Sequence, residues 1–150
     1  MKTRGFEVVS VYKAASIHLP ERKTGASTGY DFASAADVDI ASGECVLVPT
    51  GVKAYMQKDE VLLIYIRSST ALKKRLMLMN SVGVIDADYY GNAENEGHIY
   101  IPLYNYGKES VHIAAGERIA QGIFTHYLTV DGDAAGRGTV RAGGFGSTGA

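Results

Sequence analysis

Short apolar runs that alternate with polar, glycine-bearing turns follow one another along most of the chain. The clearest runs span residues 44–56, 60–69, 77–86, 98–107 and 110–130. Several are rich in β-branched or aromatic residues, and none keeps the 3.6-residue period of a long amphipathic helix. Many short strands separated by turns are typical of β-sandwiches and β-barrels. The pattern therefore predicts an all-β fold.

Two segments depart from this pattern. Residues 69–76, "STALKKRL", are the best candidate for a short helix, with Ser68 and Ser69 as candidate N-terminal caps. From residue 131 onward, "DGDAAGRGTVRAGGFGSTGA" contains little that could be buried. We therefore expect residues 1–130 to form the barrel. Residues 131–150 should form a flexible, glycine-rich arm of the same domain that becomes ordered on binding a ligand.

The composition is that of one ordinary globular domain and argues against several classes of protein. The chain has 150 residues and a formal net charge of -1, which argues against a general nucleic-acid or membrane-surface binder. The net charge does not argue against a local basic site that binds a small anion. The single cysteine, Cys45, excludes an internal disulfide and a multi-thiolate zinc site, and we expect it to be buried. No apolar run reaches transmembrane length and residues 1–10 lack the core of a signal peptide, so we expect a cytoplasmic protein.

Several common catalytic signatures are absent from the sequence. There is no G-x-x-x-x-G-K-[ST], and the H-x-E and C-x-x-C pair of zinc deaminases is missing. Gly144, Gly146 and Gly149 do fit G-x-G-x-x-G, but only Ala150 follows them. Because a dinucleotide needs a helix N-terminus after that motif, we do not expect the segment to be a Rossmann turn.

The segment "GVIDADYYGNAENEGHIYIPLYNYG" predicts a hairpin, with a strand over 82–85 and a returning strand over 98–104. Such a hairpin can offer backbone N–H and C=O groups to a flat heterocycle. Asp86 and Asp88 would share one face of an extended chain, so that one carboxylate could activate a water molecule. The alternative is that Asp-x-Asp-x-x-Gly only forms a turn.

Arg67 precedes two hydroxyl residues at a strand-to-helix junction, which is a candidate anion site. The alternative is a pair of caps beside a surface arginine. Gln121 lies inside an apolar strand and must find polar partners, so it is either structural or a ligand contact.

Taken in order, "STGYDFASAADVDI", "IRSSTALKK", "NSVGVIDADYYGN", "GERIAQGIF" and "RAGGFGSTG" resemble the five motifs of trimeric dUTPases. The resemblance covers residues 25–149. It implies a jelly-roll-like distorted β-barrel and a homotrimer whose C-terminal arms are exchanged between subunits, with each active site built from three chains. It also implies hydrolysis of dUTP to dUMP and diphosphate, which limits uracil in DNA and supplies dUMP for dTMP synthesis. The expected cofactor is Mg²⁺, held by substrate phosphates and water rather than directly by the protein.

The resemblance also implies roles for individual residues. Asp86 matches the general base, Tyr89 the tyrosine under the deoxyribose, and Phe145 the aromatic residue that stacks over uracil. Asp31 matches an aspartate that meets the fifth-motif arginine and the hydration shell of the metal. The residues that match uracil contacts are Asn80, Gly83, Val84 and Tyr100. Those that match phosphate contacts are Arg67, Ser68, Ser69, Gln121, Arg141, Gly146, Ser147 and Thr148.

The chain departs from the family pattern at three places. Ser69-Thr70 replaces the Gly-Leu of many dUTPases, and "RSS" also occurs in dCTP deaminases of the same fold, which keeps deaminase activity as an alternative. Six residues, "AENEGH", lengthen the predicted hairpin; we call residues 93–98 the insertion. Arg141 lies four residues before Phe145 rather than the usual five, and Arg137 is the alternative to it.

A further alternative, from another class of function, is a regulatory protein-binding module that retains a dUTP pocket. The partners expected from the sequence are therefore dUTP, two further copies of this chain and, under this alternative, a regulatory protein.

Overall fold

The computed structural model describes residues 1–135 and 140–146. Within these residues, eleven strands and one α-helix follow one another along the chain. The first strands are β1 (Gly5–Val8), β2 (Tyr30–Ala33), β3 (Val38–Ile40), β4 (Cys45–Pro49), β5 (Val52–Tyr55) and β6 (Glu60–Ile66). After α1 (Ser68–Lys74) come β7 (Leu76–Leu78), β8 (Gly83–Asp86), β9 (Tyr100–Asn105), β10 (Val111–Ile113) and β11 (Arg118–His126). Single 3₁₀ turns cover Ser10–Tyr12 and Ala87–Tyr89.

The strands form a four-stranded sheet in the order β2–β11–β6–β8 and a three-stranded sheet in the order β4–β9–β7. Two further pairs, β1–β5 and β10–β3, complete the barrel, and all pairings are antiparallel. The inner faces enclose one apolar core. Its largest fully buried side chains include Phe32, Ile40, Leu62, Ile64, Leu76, Ile101, Leu103 and Ile119. The predicted all-β, jelly-roll-like barrel with one short helix is confirmed.

The predicted hairpin around the insertion is wrong. β8 pairs with β6, from Gly83 opposite Ile64 to Asp86 opposite Val61, whereas β9 lies between β4 and β7 in the other sheet. The connection from residue 87 to residue 99 is long enough to cross from one sheet to the other. The alternation of apolar residues shows which face of a strand is buried, but not which strand is its neighbour.

Two local predictions also differ from the structure. Ser68 is already the first residue of α1, and Arg67, with extended backbone and no side-chain cap hydrogen bond, holds the cap position. Cys45 is exposed, because β4 turns Val48 toward the core and Cys45 and Leu47 toward the outside. No helix in the described part of the chain is long and apolar enough to cross a bilayer.

Candidate active site

One cavity lies between β8 and the beginning of β9, which belong to different sheets. It is lined by eight of the residues that the resemblance to dUTPases singled out: Asn80, Gly83, Val84, Asp86, Tyr89, Tyr100, Arg141 and Phe145. Apolar side chains of Ile64, Ile99 and Pro102 complete the wall. The two strands predicted to form a hairpin thus flank one cavity although they belong to different sheets.

The wall formed by β8 is an edge of the four-stranded sheet. An edge strand leaves a row of backbone donors and acceptors that do not pair with a neighbouring strand. Gly83 lies close to β6, because a Cβ added there would be 3.1 Å from Ile64 Cβ. Val84 points outward and is 60% exposed. This edge can therefore present backbone groups to a flat, polar ring.

Tyr89 forms the buried side of the cavity. Its hydroxyl donates to the carbonyl of His98 at 2.6 Å and accepts from Asn95 Nδ2 at 2.9 Å. Burial raises the pKa of the Tyr89 hydroxyl above its usual value. A Cβ added to Gly144 would lie 2.9 Å from Tyr89 Cε1 and 3.7 Å from the Tyr89 hydroxyl oxygen. The insertion and the C-terminal segment therefore both approach the hydroxyl end of the ring.

Arg141 connects that C-terminal segment to two carboxylates. Its Nη2 donates to Asp86 Oδ2 at 2.6 Å and its Nε donates to Asp88 Oδ1 at 2.8 Å. The spacing predicted that Asp86 and Asp88 share one face of an extended strand, and this prediction is wrong. Asp86 ends β8, whereas Asp88 lies in the following 3₁₀ turn. They converge instead on one guanidinium.

The remaining C-terminal predictions are only partly within the described residues. Phe145 lines the mouth of the cavity, is 73% exposed and has a positive φ of 51°. Gly146, with φ 94°, is exposed as well. Arg137, Ser147 and Thr148 lie outside the described residues.

A second cluster gathers around Asp31 on β2. Arg67 Nε lies 3.4 Å from Asp31 Oδ1, and Arg118 Nη1 lies 3.2 Å from Asp31 Oδ2. Gln121 is opposite Asp31 in the β2–β11 ladder and packs its side chain over Gly29. In this chain Asp31 therefore meets Arg67 and Arg118, whereas Arg141, the arginine that the resemblance places there, lies against Asp86 and Asp88.

Sequence reasoning had not selected Arg118 as a site residue. The signal that could have found it was its place in "GERIAQGIF", in the same strand as Gln121. Arg67, Ser69 and Arg118 line a shallow hollow together with Lys73 and Lys74. Ser68, at the start of α1, is exposed beside them. Four cations against the single carboxylate of Glu117, which pairs with Lys74 at 2.7 Å, give this hollow the chemistry of an anion site.

One further group of potential metal ligands lies outside both clusters. Among the described residues, ligand atoms of Asp59, Glu60 and His126 come within 4.8 Å of one another. Arg4 Nε donates to Glu60 Oε2 at 2.8 Å, and this hydrogen bond lowers the pKa of the Glu60 carboxyl. Because Arg4 already neutralises Glu60, we do not assign a cation to this group.

Known proteins share both the sequence and the fold. The dUTPase family profile matches residues 15–149. The deoxyuridine 5'-triphosphate nucleotidohydrolase of Lactococcus lactis subsp. lactis is 55% identical over 150 residues, which cover 100% of both chains. The crystal structure of a dUTPase from Streptococcus mutans is 50% identical with a TM-score of 0.82, covering 85% of this chain and 99% of that chain. This chain therefore belongs to the dUTPase family.

Proposed function

We propose that the protein hydrolyses dUTP to dUMP and diphosphate, in keeping with its Lactococcus lactis relative, a deoxyuridine 5'-triphosphate nucleotidohydrolase. The observation that carries this proposal is that Asp86, Tyr89 and Phe145 line one cavity at the free edge of β8. A carboxylate, a buried aromatic ring and an exposed aromatic ring are the groups needed for water activation, sugar packing and base stacking.

Base recognition follows from the backbone of β8 and the start of β9. A backbone carbonyl can accept from uracil N3–H and a backbone N–H can donate to O4. Cytosine reverses both groups, so two buried partners would be left unpaired, at about 1–3 kcal/mol each. Thymine differs by a methyl group at C5 and would be refused by lack of space.

In the proposed reaction, Asp86 takes a proton from a water molecule whose oxygen attacks the α-phosphorus. A bond forms from that oxygen to phosphorus, and the bond from phosphorus to the α,β-bridging oxygen breaks, which releases diphosphate. In the single chain the guanidinium of Arg141 is hydrogen-bonded to the carboxylate of Asp86. A triphosphate carries more negative charge than a carboxylate pair, so it would draw the guanidinium of Arg141 to itself and leave Asp86 to the water.

We further propose that the enzyme is a homotrimer with exchanged C-terminal arms, so that the place held by Arg141 and Phe145 at the cavity of the single chain is taken in the trimer by the same residues of a neighbouring subunit. Asp86 and Tyr89 line the cavity at β8, whereas Arg67 and Ser69 line a different hollow of the same chain. A second copy could bring its cationic hollow to the cavity of the first, and a third could contribute its arm. Light scattering in dilute solution tests this proposal, and a stable, active monomer would contradict it.

Mg²⁺ is the proposed cofactor. A dUTPase variant from phage phi11 of S. aureus coordinates a structural Mg(II) ion. The side chains of Asp86 and Asp88 are 50% and 66% exposed, and Mg²⁺ prefers such oxygen ligands while keeping several of its waters. These carboxylates fit hydrogen bonds to that water shell. When bound, the ion would neutralise charge on the phosphate oxygens.

The decisive experiment measures diphosphate release from dUTP, dCTP, dTTP and UTP in the presence of Mg²⁺. We expect turnover of dUTP to exceed that of the others by orders of magnitude. Ammonia release from dCTP would replace the proposal with deaminase activity. A pull-down with and without dUTP tests whether the chain also binds a regulatory protein.

A further inference from the structure

The insertion forms a compact turn against Tyr89. Asn95 Oδ1 accepts from Asn92 Nδ2 at 2.8 Å and from the backbone N–H of Gly97 at 3.0 Å. Because two donors face Oδ1, the other end of the amide, Nδ2, is directed to the Tyr89 hydroxyl at 2.9 Å. That hydroxyl donates its own proton to the carbonyl of His98 at 2.6 Å. Both hydrogen-bonding functions of the Tyr89 hydroxyl are therefore satisfied by the insertion.

The insertion is itself anchored to the barrel. The Glu96 carboxylate accepts from the backbone N–H of Ser10 at 3.1 Å, from Ser10 Oγ at 2.9 Å and from Lys53 Nζ at 3.1 Å. These hydrogen bonds hold the pKa of the Glu96 carboxyl below its usual value. Gly97 has φ 96° and comes so close to the main chain that an added Cβ would lie 2.8 Å from Tyr90 Cα. The insertion is thus a braced support rather than a loose extension.

The same support reaches the C-terminal segment. The backbone N–H of Glu94 donates to the carbonyl of Ala142 at 2.9 Å. Two residues further on, Gly144 lies against the Tyr89 ring. The insertion therefore contacts the floor of the cavity and the segment that covers it.

We propose that Asn95 is a positioning residue that sets the depth of the Tyr89 ring and thereby the discrimination between deoxyribose and ribose triphosphates. The inference rests on the proposed function, in which Tyr89 packs under the deoxyribose. Because its hydroxyl is hydrogen-bonded to the insertion, the Tyr89 ring cannot move away from the sugar to make room for a 2′-hydroxyl. Loss of the Asn95 donor allows the ring to move away from the sugar. The value of kcat/KM for UTP should then rise relative to that for dUTP.

The test is Asn95→Asp, with kcat and KM measured separately for dUTP and for UTP. Aspartate keeps an oxygen that accepts from Gly97 and Asn92, so the turn is retained. Its second oxygen replaces the donor and competes with the His98 carbonyl for the one hydroxyl proton. We expect the ratio of kcat/KM for dUTP to that for UTP to fall about five- to tenfold, the effect of one lost hydrogen bond. A general loss of structure would lower both activities and leave the ratio unchanged.

A double-mutant cycle tests whether Asn95 changes the dUTP-to-UTP ratio through its hydrogen bond to the Tyr89 hydroxyl. Tyr89→Phe should lower the same ratio, and Asn95→Asp should then add little in the Tyr89→Phe background, because the shared hydrogen bond is already gone. Tyr90→Phe is the matched control: it removes the neighbouring hydroxyl, which donates to Glu7 Oε2 at 2.7 Å, and should leave the ratio unchanged.

The outcomes separate this inference from the proposed function. A wild-type protein that does not hydrolyse dUTP contradicts the function itself. A wild-type protein that prefers dUTP over UTP, with an unchanged ratio in a folded Asn95→Asp variant, overturns the inference alone. If thermal melting shows that Asn95→Asp does not fold, Tyr89→Phe decides, and an unchanged ratio in that variant also overturns it.

Discussion

Arg141 Nη2 donates a 2.6 Å hydrogen bond to Asp86 Oδ2, so a cation from the C-terminal segment forms an ion pair with the carboxylate at the end of β8. The same guanidinium reaches Asp88 and the carbonyl of Gly143. Two segments that are distant along the chain, residues 86–88 and 141–143, thus form one charged junction at the mouth of the cavity. A triphosphate entering there would compete for the one cation in this junction.

Asp86→Asn should bind dUTP nearly as well as the wild-type protein but turn it over about 10²–10⁴-fold more slowly, as expected for loss of a general base. Single-turnover kinetics and equilibrium binding measure the two effects separately. Asp88→Asn is the matched control, because it removes the other carboxylate at Arg141 and leaves Asp86 in place; its turnover should fall far less. A rate for Asp86→Asn within a few-fold of wild type would show that Asp86 is not the base.

Removal of residues 143–150 should leave the barrel folded but reduce dUTP turnover by about 10²-fold, the effect of a substrate no longer held in its reactive geometry. The largest side chain of this segment, Phe145, is 73% exposed and adds little to the core. Thermal melts and turnover of the truncated protein give the two readings. Phe145→Ala in the full-length chain tests how much of the loss belongs to base stacking. Full activity of the truncated protein would mean that the arm is dispensable.

His98 should make the protein less stable in mild acid. Burial lowers the pKa of His98 from 6.5 to about 4, and Nε2 accepts from the backbone N–H of Gly51 at 2.9 Å. Between about pH 6.5 and pH 4, His98 of the unfolded chain therefore binds a proton, whereas His98 of the folded chain stays neutral. The free energy of unfolding should fall by about 3 kcal/mol as the pH decreases through this window, with no further contribution below it.

Urea unfolding at pH 7.5 and at pH 4.5 measures this effect. His98→Gln keeps an acceptor for Gly51 but does not titrate, so the difference between the two pH values should shrink. His18→Gln, at an exposed histidine, should retain the wild-type difference. An equal pH dependence in His98→Gln would show that other groups cause the acid sensitivity.

Gly122→Ala should destabilise the barrel by about 1–3 kcal/mol through overpacking. Gly122 lies in the middle of β11, where an added Cβ would be 2.7 Å from Phe32 Cε2 and 3.0 Å from Leu62 Cδ1. Gly25→Ala is the control, since an added Cβ there meets nothing within 4 Å. Denaturant midpoints compare the two variants, and equal midpoints would mean that the core adjusts without strain.

Local pattern was sufficient to predict the strands from β4 onward, although β1, β2 and β3 lie outside the runs that it selected, and the resemblance to dUTPases selected most of the cavity residues. Alternating apolar residues predicted the strands, and the motif around Asp86 and Tyr89 selected residues that do line one cavity. These predictions succeed because strand formation and burial depend on neighbours along the chain, and because the motif keeps Gly83, Asp86 and Tyr89 within one short segment.

Which strands pair, and which side chains support the site, was decided only by the tertiary structure. Nothing in the alternation of β8 and β9 distinguishes a hairpin from two strands in separate sheets, because the same apolar face can be buried in either arrangement. The amide of Asn95 and the ring of His98 acquire their roles from partners brought close by folding: the hydroxyl of Tyr89 and the backbone N–H of Gly51. The sequence by itself determined the all-β class and, through its resemblance to dUTPases, eight of the residues that line the cavity. The positions of the groups that hold those residues depend on contacts between distant segments, which no local pattern records.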